Sequence, residues 1–121
     1  MTRVRVSETV HFSSVGSVQF SSVVHTEKIW MGESHIGPAT RSDNHHHGES
    51  ETGIYVLSGN PVFVFLQDNE ETRIEAQPGD YIYVPPYVAH REENPSEEND
   101  AVVILARTTQ EAIVVNLPSL E

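Results

Sequence analysis

The sequence predicts an all-β domain, either a sandwich or a barrel. No segment sustains a helical period over three turns. About ten short runs rich in Val, Ile, Phe, Tyr and Thr recur along the chain instead. Clusters such as Ser58-Gly59-Asn60-Pro61 and Gln77-Pro78-Gly79-Asp80 punctuate them as turns.

In chain order, residues 1 to 12 place Val4, Val6, Val10 and Phe12 at even positions, which fits an edge strand or an arm. Ser13, Ser14, Gly16 and Ser17 read as a loop. Val18 to Phe20 with Val23 and Val24 resume strand character. Lys28 to Ile36 is a longer strand stopped by Gly37-Pro38, and Trp30, the only tryptophan, is a packing residue of its core or rim. Residues 39 to 44 form a polar loop. Ile54-Tyr55-Val56-Leu57 is a short strand. Val62 to Leu66 and Thr72 to Ala76 form a hairpin around a polar tip. Tyr81 to Val84 and a short run beginning at Val88 are further strands. Residues 92 to 100 read as a solvated acidic loop. Ala101 to Ala106 is a buried strand, and 110 to 117 fits a last strand or a short helical start.

Composition narrows the function. The 121 residues suit one domain, 1–121, with one core. A net charge of -11 argues against nucleic acid or an anionic membrane surface as partner, because both need clustered Lys and Arg. The absence of cysteine removes disulfides, thiolate zinc sites and cysteine nucleophiles. No apolar h-region opens the chain, and no stretch is apolar enough to span a bilayer, so a cytoplasmic protein is expected.

The chemistry concentrates between Asn44 and Gly59. His45, His46 and His47 are followed by Glu49 and Glu51. Imidazole nitrogens with a carboxylate oxygen are the usual ligands of first-row transition metals. In an extended segment side chains alternate, so His45, His47, Glu49 and Glu51 share one face and His46 takes the other. A solvated histidine loop with no ligand is the competing reading.

Two segments together resemble the cupin signature. In the second motif, Gly79 is followed after five residues by Pro85, then by Tyr87, His90 and Asn94. Every position fits except Tyr87, where the family usually has glycine. In the first motif, His45, His47, Glu51 and Gly59 fit, except that seven residues rather than six separate Glu51 from Gly59. The resemblance covers residues 37 to 106 approximately. It implies a double-stranded β-helix (jelly-roll) barrel. It also implies that His45, His47, Glu51 and His90 hold one divalent transition metal (Fe, Mn, Ni, Cu or Zn) inside it.

The extra residue bears on the carboxylate. Counted back from Gly59, the usual glutamate position is Thr52, and a regular strand turns Glu51 outward. A β-bulge at Gly53 would bring Glu51 inward with Ile54 and Val56. Glu49 as ligand, His46 in place of a neighbour, and three histidines alone remain the alternatives. His35 precedes the site but reads first as a surface residue. The resemblance implies a metal-dependent enzyme acting on a small organic molecule, dioxygenase-like or isomerase-like. A non-catalytic small-molecule-binding protein is the alternative reading. A homodimer is expected, with the N-terminal arm covering a neighbour's sheet edge.

Overall fold

The structure is a computed structural model that describes residues 1–5, 11–15 (backbone only), 18–108 and 115–120. Twelve strands make up its regular structure, with no helix among the described residues. They are β1 (His11–Val15), β2 (Val18–His25), β3 (Trp30–Ile36), β4 (Thr40–Arg41), β5 (His45–His46) and β6 (Thr52–Ser58). The second half supplies β7 (Val62–Gln67), β8 (Glu70–Glu75), β9 (Tyr81–Val84), β10 (His90–Asn94), β11 (Ala101–Arg107) and β12 (Val115–Asn116). One sheet has the order β1-β2-β3-β11-β6-β9. The other has the order β12-β5-β10-β7-β8, with β4 also paired to β10. All pairings are antiparallel. This is the expected all-β jelly roll, closed by two sheets facing one another.

Period-two patterning decides which residues enter the barrel. On β3 the inward set is Trp30, Gly32, Ser34 and Ile36, and on β6 it is Thr52, Ile54 and Val56. On β11 the buried positions are Ala101, Val103, Leu105 and Arg107. These strands are in register, so Trp30, Arg107, Thr52 and Val84 form one rung across β3, β11, β6 and β9. Further along, Val18, Phe20, Ile36, Val56, Phe63 and Val103 fill the apolar core. The interior is therefore oily over most of its length and polar where Arg107 and Thr52 enter.

Gly32 is set by packing. A Cβ there would lie 2.6 Å from the Trp30 ring and press on the Ser21 carbonyl oxygen. The bare backbone is what lets the indole lie along the strand, where its Nε1–H donates to Ser22 Oγ at 3.0 Å. Gly32→Ala is expected to cost about 3 kcal/mol, because overpacking a close-packed interior displaces backbone as well as side chain. Urea unfolding measures it, and a loss below about 1 kcal/mol would show that the indole moves aside freely.

Several local expectations change. Ser13 and Ser14 lie in β1 rather than a loop, because residues 11–15 zip onto residues 18–22 of β2. Thr40 and Arg41 pair with Asn94 and Glu93, giving a short strand in the expected polar loop. Residues 92 to 94, expected in a solvated acidic loop, continue the strand of His90 and Arg91, which has partners on both sides. Residues 1–5 carry no strand, while 6–10 and 109–114 lie outside the described residues. The extra residue of the first motif is not absorbed at Gly53, which pairs regularly with Tyr83 and Ala106. The register shifts at Leu57 instead, since Val102 faces Ser58 and Val103 faces Val56. That shift lies beyond the inward stretch of β6, so it cannot change the face on which Glu51 lies.

Candidate metal centre

The short strand β5 and the start of β10 lie side by side, with His45 directly opposite His90. Both rings are buried, as is His47 two residues along. The ring centroids of His45 and His90 are 4.4 Å apart, those of His45 and His47 5.0 Å, and those of His47 and His90 5.1 Å. Each ring offers one nitrogen such that all three lie within 4.8 Å of one another.

Backbone carbonyls set the tautomers. His45 Nδ1 lies 2.7 Å from Asp43 O, and His90 Nδ1 lies 2.9 Å from Val88 O. A carbonyl oxygen only accepts, so both Nδ1 atoms donate, which leaves Nε2 as the nitrogen free to coordinate. Neither Nε2 has a hydrogen-bond partner, although both are buried. An outer N–H tied to a carbonyl with the inner lone pair turned toward its neighbours is how metal-ligating histidines are held. The residues therefore fit a bound transition metal, with His45, His47 and His90 as its nitrogen donors. His46 faces the other way; its Nδ1 accepts from Gly48 N–H at 3.0 Å and its ring packs 5.7 Å from that of Tyr87.

Alternation does not continue from the histidines to the acids. Gly48 takes φ 59° and Ser50 N–H donates to His47 O, so the chain turns straight after His47. Glu49 and Glu51 are both exposed. Glu51 Oε1 accepts from Tyr83 Oη at 2.6 Å on the outer side of β9. The structure thus places Glu51 outside the histidine cluster, and Thr52 is the residue of β6 that points in.

The carboxylate beside the cluster is Glu92, which the sequence reading had left in solvent. It follows His90 by two positions, shares its face, and is 1% exposed. Its Oε1 lies 3.5 Å from His90 Nε2 and its Oε2 3.7 Å from His45 Nε2. Ser42 Oγ donates to Oε2 at 2.8 Å. Burial pushes its pKa up, but the facing imidazoles of His45 and His90 and the bond from Ser42 more than offset this and hold it well below the usual carboxylate range. At His45 burial prevails over Glu92 and lowers the pKa. At His90 burial also lowers it, but the Glu92 carboxylate facing it more than compensates, and the net direction is up.

Arg107 is the second group that sequence reasoning passed over. It is 2% exposed, and its guanidinium lies 4.3 Å from the Trp30 ring centroid. Burial pushes its pKa down to about 10, with the Glu92 charge opposing, so it stays cationic at neutral pH. The expected strand stopped one residue short of it, yet its parity with Ala101, Val103 and Leu105 is the signal that puts it inside. His35 is exposed and pairs with Glu33 at 3.0 Å, a surface residue as first read.

An apolar cleft of about 240 Å³ reaches this end of the barrel; Phe63, Phe65, Ile82, Val84 and Val88 line it together with His90. At Tyr87, where the second motif usually carries glycine, φ is 60°. The left-handed backbone explains the usual glycine. Among the described residues, no helix is long and apolar enough to cross a membrane.

Comparison with known proteins agrees with this fold. The chain is 25% identical over 92 residues to a 3-hydroxyanthranilate 3,4-dioxygenase of Cupriavidus pinatubonensis, an alignment covering 72% of this chain and 48% of that protein. The chain therefore spans about half the length of the curated relative it matches. Among solved structures it superposes on an uncharacterized protein with a double-stranded beta-helix domain from Klebsiella pneumoniae. The TM-score is 0.72 at 20% identity, covering 95% of this chain and 96% of that one. It also superposes on the polyketide cyclase RemF from Streptomyces resistomycificus with a TM-score of 0.75 at 19% identity, covering 100% and 88% of the two chains. Residues 32–107 match the family profile described as the cupin domain. With that match over more than half its length, the chain belongs to the cupin family.

Proposed function

We propose that this protein is a metal-dependent enzyme that acts on a small organic molecule at the His45–His47–His90 centre, with dioxygenase-type chemistry the favoured class. The observation that carries the reading is the pair of buried Nε2 atoms on His45 and His90, held toward each other by Nδ1 bonds to Asp43 O and Val88 O. Two buried imidazole nitrogens that make no hydrogen bond, beside a buried carboxylate, form an arrangement that a metal ion would complete. The name of the Cupriavidus relative favours oxygen chemistry over isomerisation.

Each residue has a role that follows from its position. His45, His47 and His90 would hold the metal, which when bound supplies Lewis acidity and positions for substrate or dioxygen. Glu92, anionic and locked by Ser42, lowers the net charge of the centre and orients His90. The apolar lining from Phe63 to Val88 admits an organic body and sheds water from it. Glu51, bonded to Tyr83 on the outside, has no part in the reaction.

The experiment begins with metal per chain by elemental analysis, followed by oxygen uptake with a panel of small hydroxylated aromatic acids. Stoichiometric iron with substrate-dependent oxygen uptake is the expected result. A chain that binds no transition metal would overturn the reading. Two variants locate the carboxylate. Glu92→Gln is expected to weaken metal binding by about 10- to 100-fold, the range for partners that orient and tune metal ligands, whereas Glu51→Gln is expected to leave metal content unchanged. The reverse pattern would return Glu51 to the centre.

A further inference from the structure

The barrel interior holds a cation, Arg107, with which no described residue forms an ion pair. Arg107 is 2% exposed, its Nε and Nη1 are buried without a hydrogen bond, and it makes no salt bridge among the described residues. Buried guanidinium groups are otherwise paired, because the desolvated charge is costly. The guanidinium carbon lies 4.3 Å from the Trp30 ring centroid, so the indole shields one side of the group. Beside it on the same rung, Thr52 Oγ1 is likewise buried and unpartnered. The rung runs on from Arg107 through Thr52 to Val84, which lines the apolar cleft together with His90, so it lies at the histidine end of the interior.

The donors form a set. Arg107 offers two N–H donors, at Nε and Nη1, and Thr52 a hydroxyl, and none of them is hydrogen-bonded to a described residue. Thr52 also occupies the place at which the cupin pattern, counted back from Gly59, has its glutamate. Glu92 and Arg107 cancel one another in charge, so a divalent metal on the three histidines would leave the interior with two uncompensated positive charges. A carboxylate, whose two oxygens accept from charged and neutral donors alike, satisfies these donors and the charge together.

The geometry points to a carboxylate-binding subsite formed by Arg107 and Thr52, which selects small organic acids as the molecules this centre acts on. This deepens the proposed function, on which its catalytic meaning rests, but the subsite is a property of Arg107 and Thr52 and is present without metal. Its ligand is a small carboxylic acid whose carboxylate accepts from Arg107 Nε–H and from the Thr52 hydroxyl. The acid's remaining oxygen donors are left to face the histidines.

The test uses benzoate as probe and benzamide as its neutral control, on the full chain labelled with nitrogen-15. The Arg107 Nε–H resonance is followed during titration, first without metal and then with zinc. Benzoate is expected to move that resonance saturably in both states, with benzamide at least tenfold weaker. Arg107→Met keeps an unbranched chain over Trp30 but removes the donors. It is expected to lose benzoate at least tenfold, by calorimetry, while its zinc stoichiometry and Tm stay at or above the parent's. Arg107→Lys keeps the charge without the Nε–H donor and should fall between the two. Equal binding of benzamide and benzoate, an unmoved Arg107 resonance, or unchanged benzoate affinity in Arg107→Met would each overturn the subsite. A Tm well below the parent's in both variants would also overturn it, in favour of a purely structural stack on Trp30. If zinc fails to bind at the histidines, the proposed enzyme function falls, but the metal-free benzoate titration still decides the subsite.

Discussion

His90→Ala is expected to weaken metal binding by at least about a hundredfold, because even the partners behind such ligands are worth 10- to 100-fold. His90 supplies one of three nitrogens, and it also brings β10 against His45. The effect is readable as stability. At a metal concentration about 1,000 times the parent's Kd, binding adds about 4 kcal/mol to the folded state, whereas a site a hundredfold weaker gains about 1.4 kcal/mol at the same concentration. Without metal, the two proteins should differ far less. The variant loses the bond from Nδ1 to Val88 O but also removes an Nε2 that has no hydrogen bond of its own. Unfolding curves with and without zinc separate these effects. His46→Ala is the control: its ring lies against Tyr87, and the gain from metal should be kept in full. A parent-like metal gain in His90→Ala would remove His90 from the centre.

Asn94→Asp is expected to be the most destabilising isosteric change in the barrel, at about 3–5 kcal/mol, the cost of an uncompensated buried charge. The Asn94 side chain is 2% exposed, and its Nδ2 donates toward Ile36 O at 2.9 Å, Gly37 O at 3.2 Å and Asn99 O at 2.7 Å. It clamps the end of β3 and the 95–100 loop to the end of β10. A carboxylate in its place has no hydrogen to give, so three carbonyl oxygens would face a fourth acceptor. Burial among acceptors raises the pKa of the introduced carboxyl above its unfolded value. The penalty is therefore full at neutral pH and shrinks as the pH falls and a proton returns a donor. Urea unfolding of variant and parent across pH measures the gap between them. A gap that stays small at pH 7, or widens on acidification, would show that the clamp yields.

The histidines were legible because their chemistry and spacing are local. His45 and His47 alternate in an extended segment, and His90 sits within a motif whose glycine, prolines and asparagine mark turns and a clamp. The carboxylate was not legible, for a reason particular to it. Glu92 opens an acidic run that reads as solvent-exposed, and what makes its burial tolerable is Ser42, fifty positions earlier in sequence. Only the pairing of β4 and β10 brings them together. Glu51 was misplaced because alternation was carried through Gly48, where a left-handed residue turns the chain. The additional residue of the first motif was assigned to Gly53 on the general habit of glycines in strands, whereas the register shift fell at exposed Leu57. Strand count and hairpins were recoverable from turn chemistry. The short strands β4, β5 and β12 were not, since two residues carry no period.

Strand β10 commits three consecutive inward positions to three unlike tasks. His90 faces His45, Glu92 is locked to Ser42, and Asn94 clamps the far loop. All three depend on one two-residue phase. Adding or deleting a single residue between His90 and Asn94 would therefore turn part of this set toward solvent at one stroke. An added residue at the Asp68–Asn69 hairpin tip, where both residues are left-handed and exposed, only lengthens a loop. Changes of length, more than changes of side chain, are what this end of the barrel resists. Length variation in this chain should accordingly collect at the β7–β8 tip and be absent from β10.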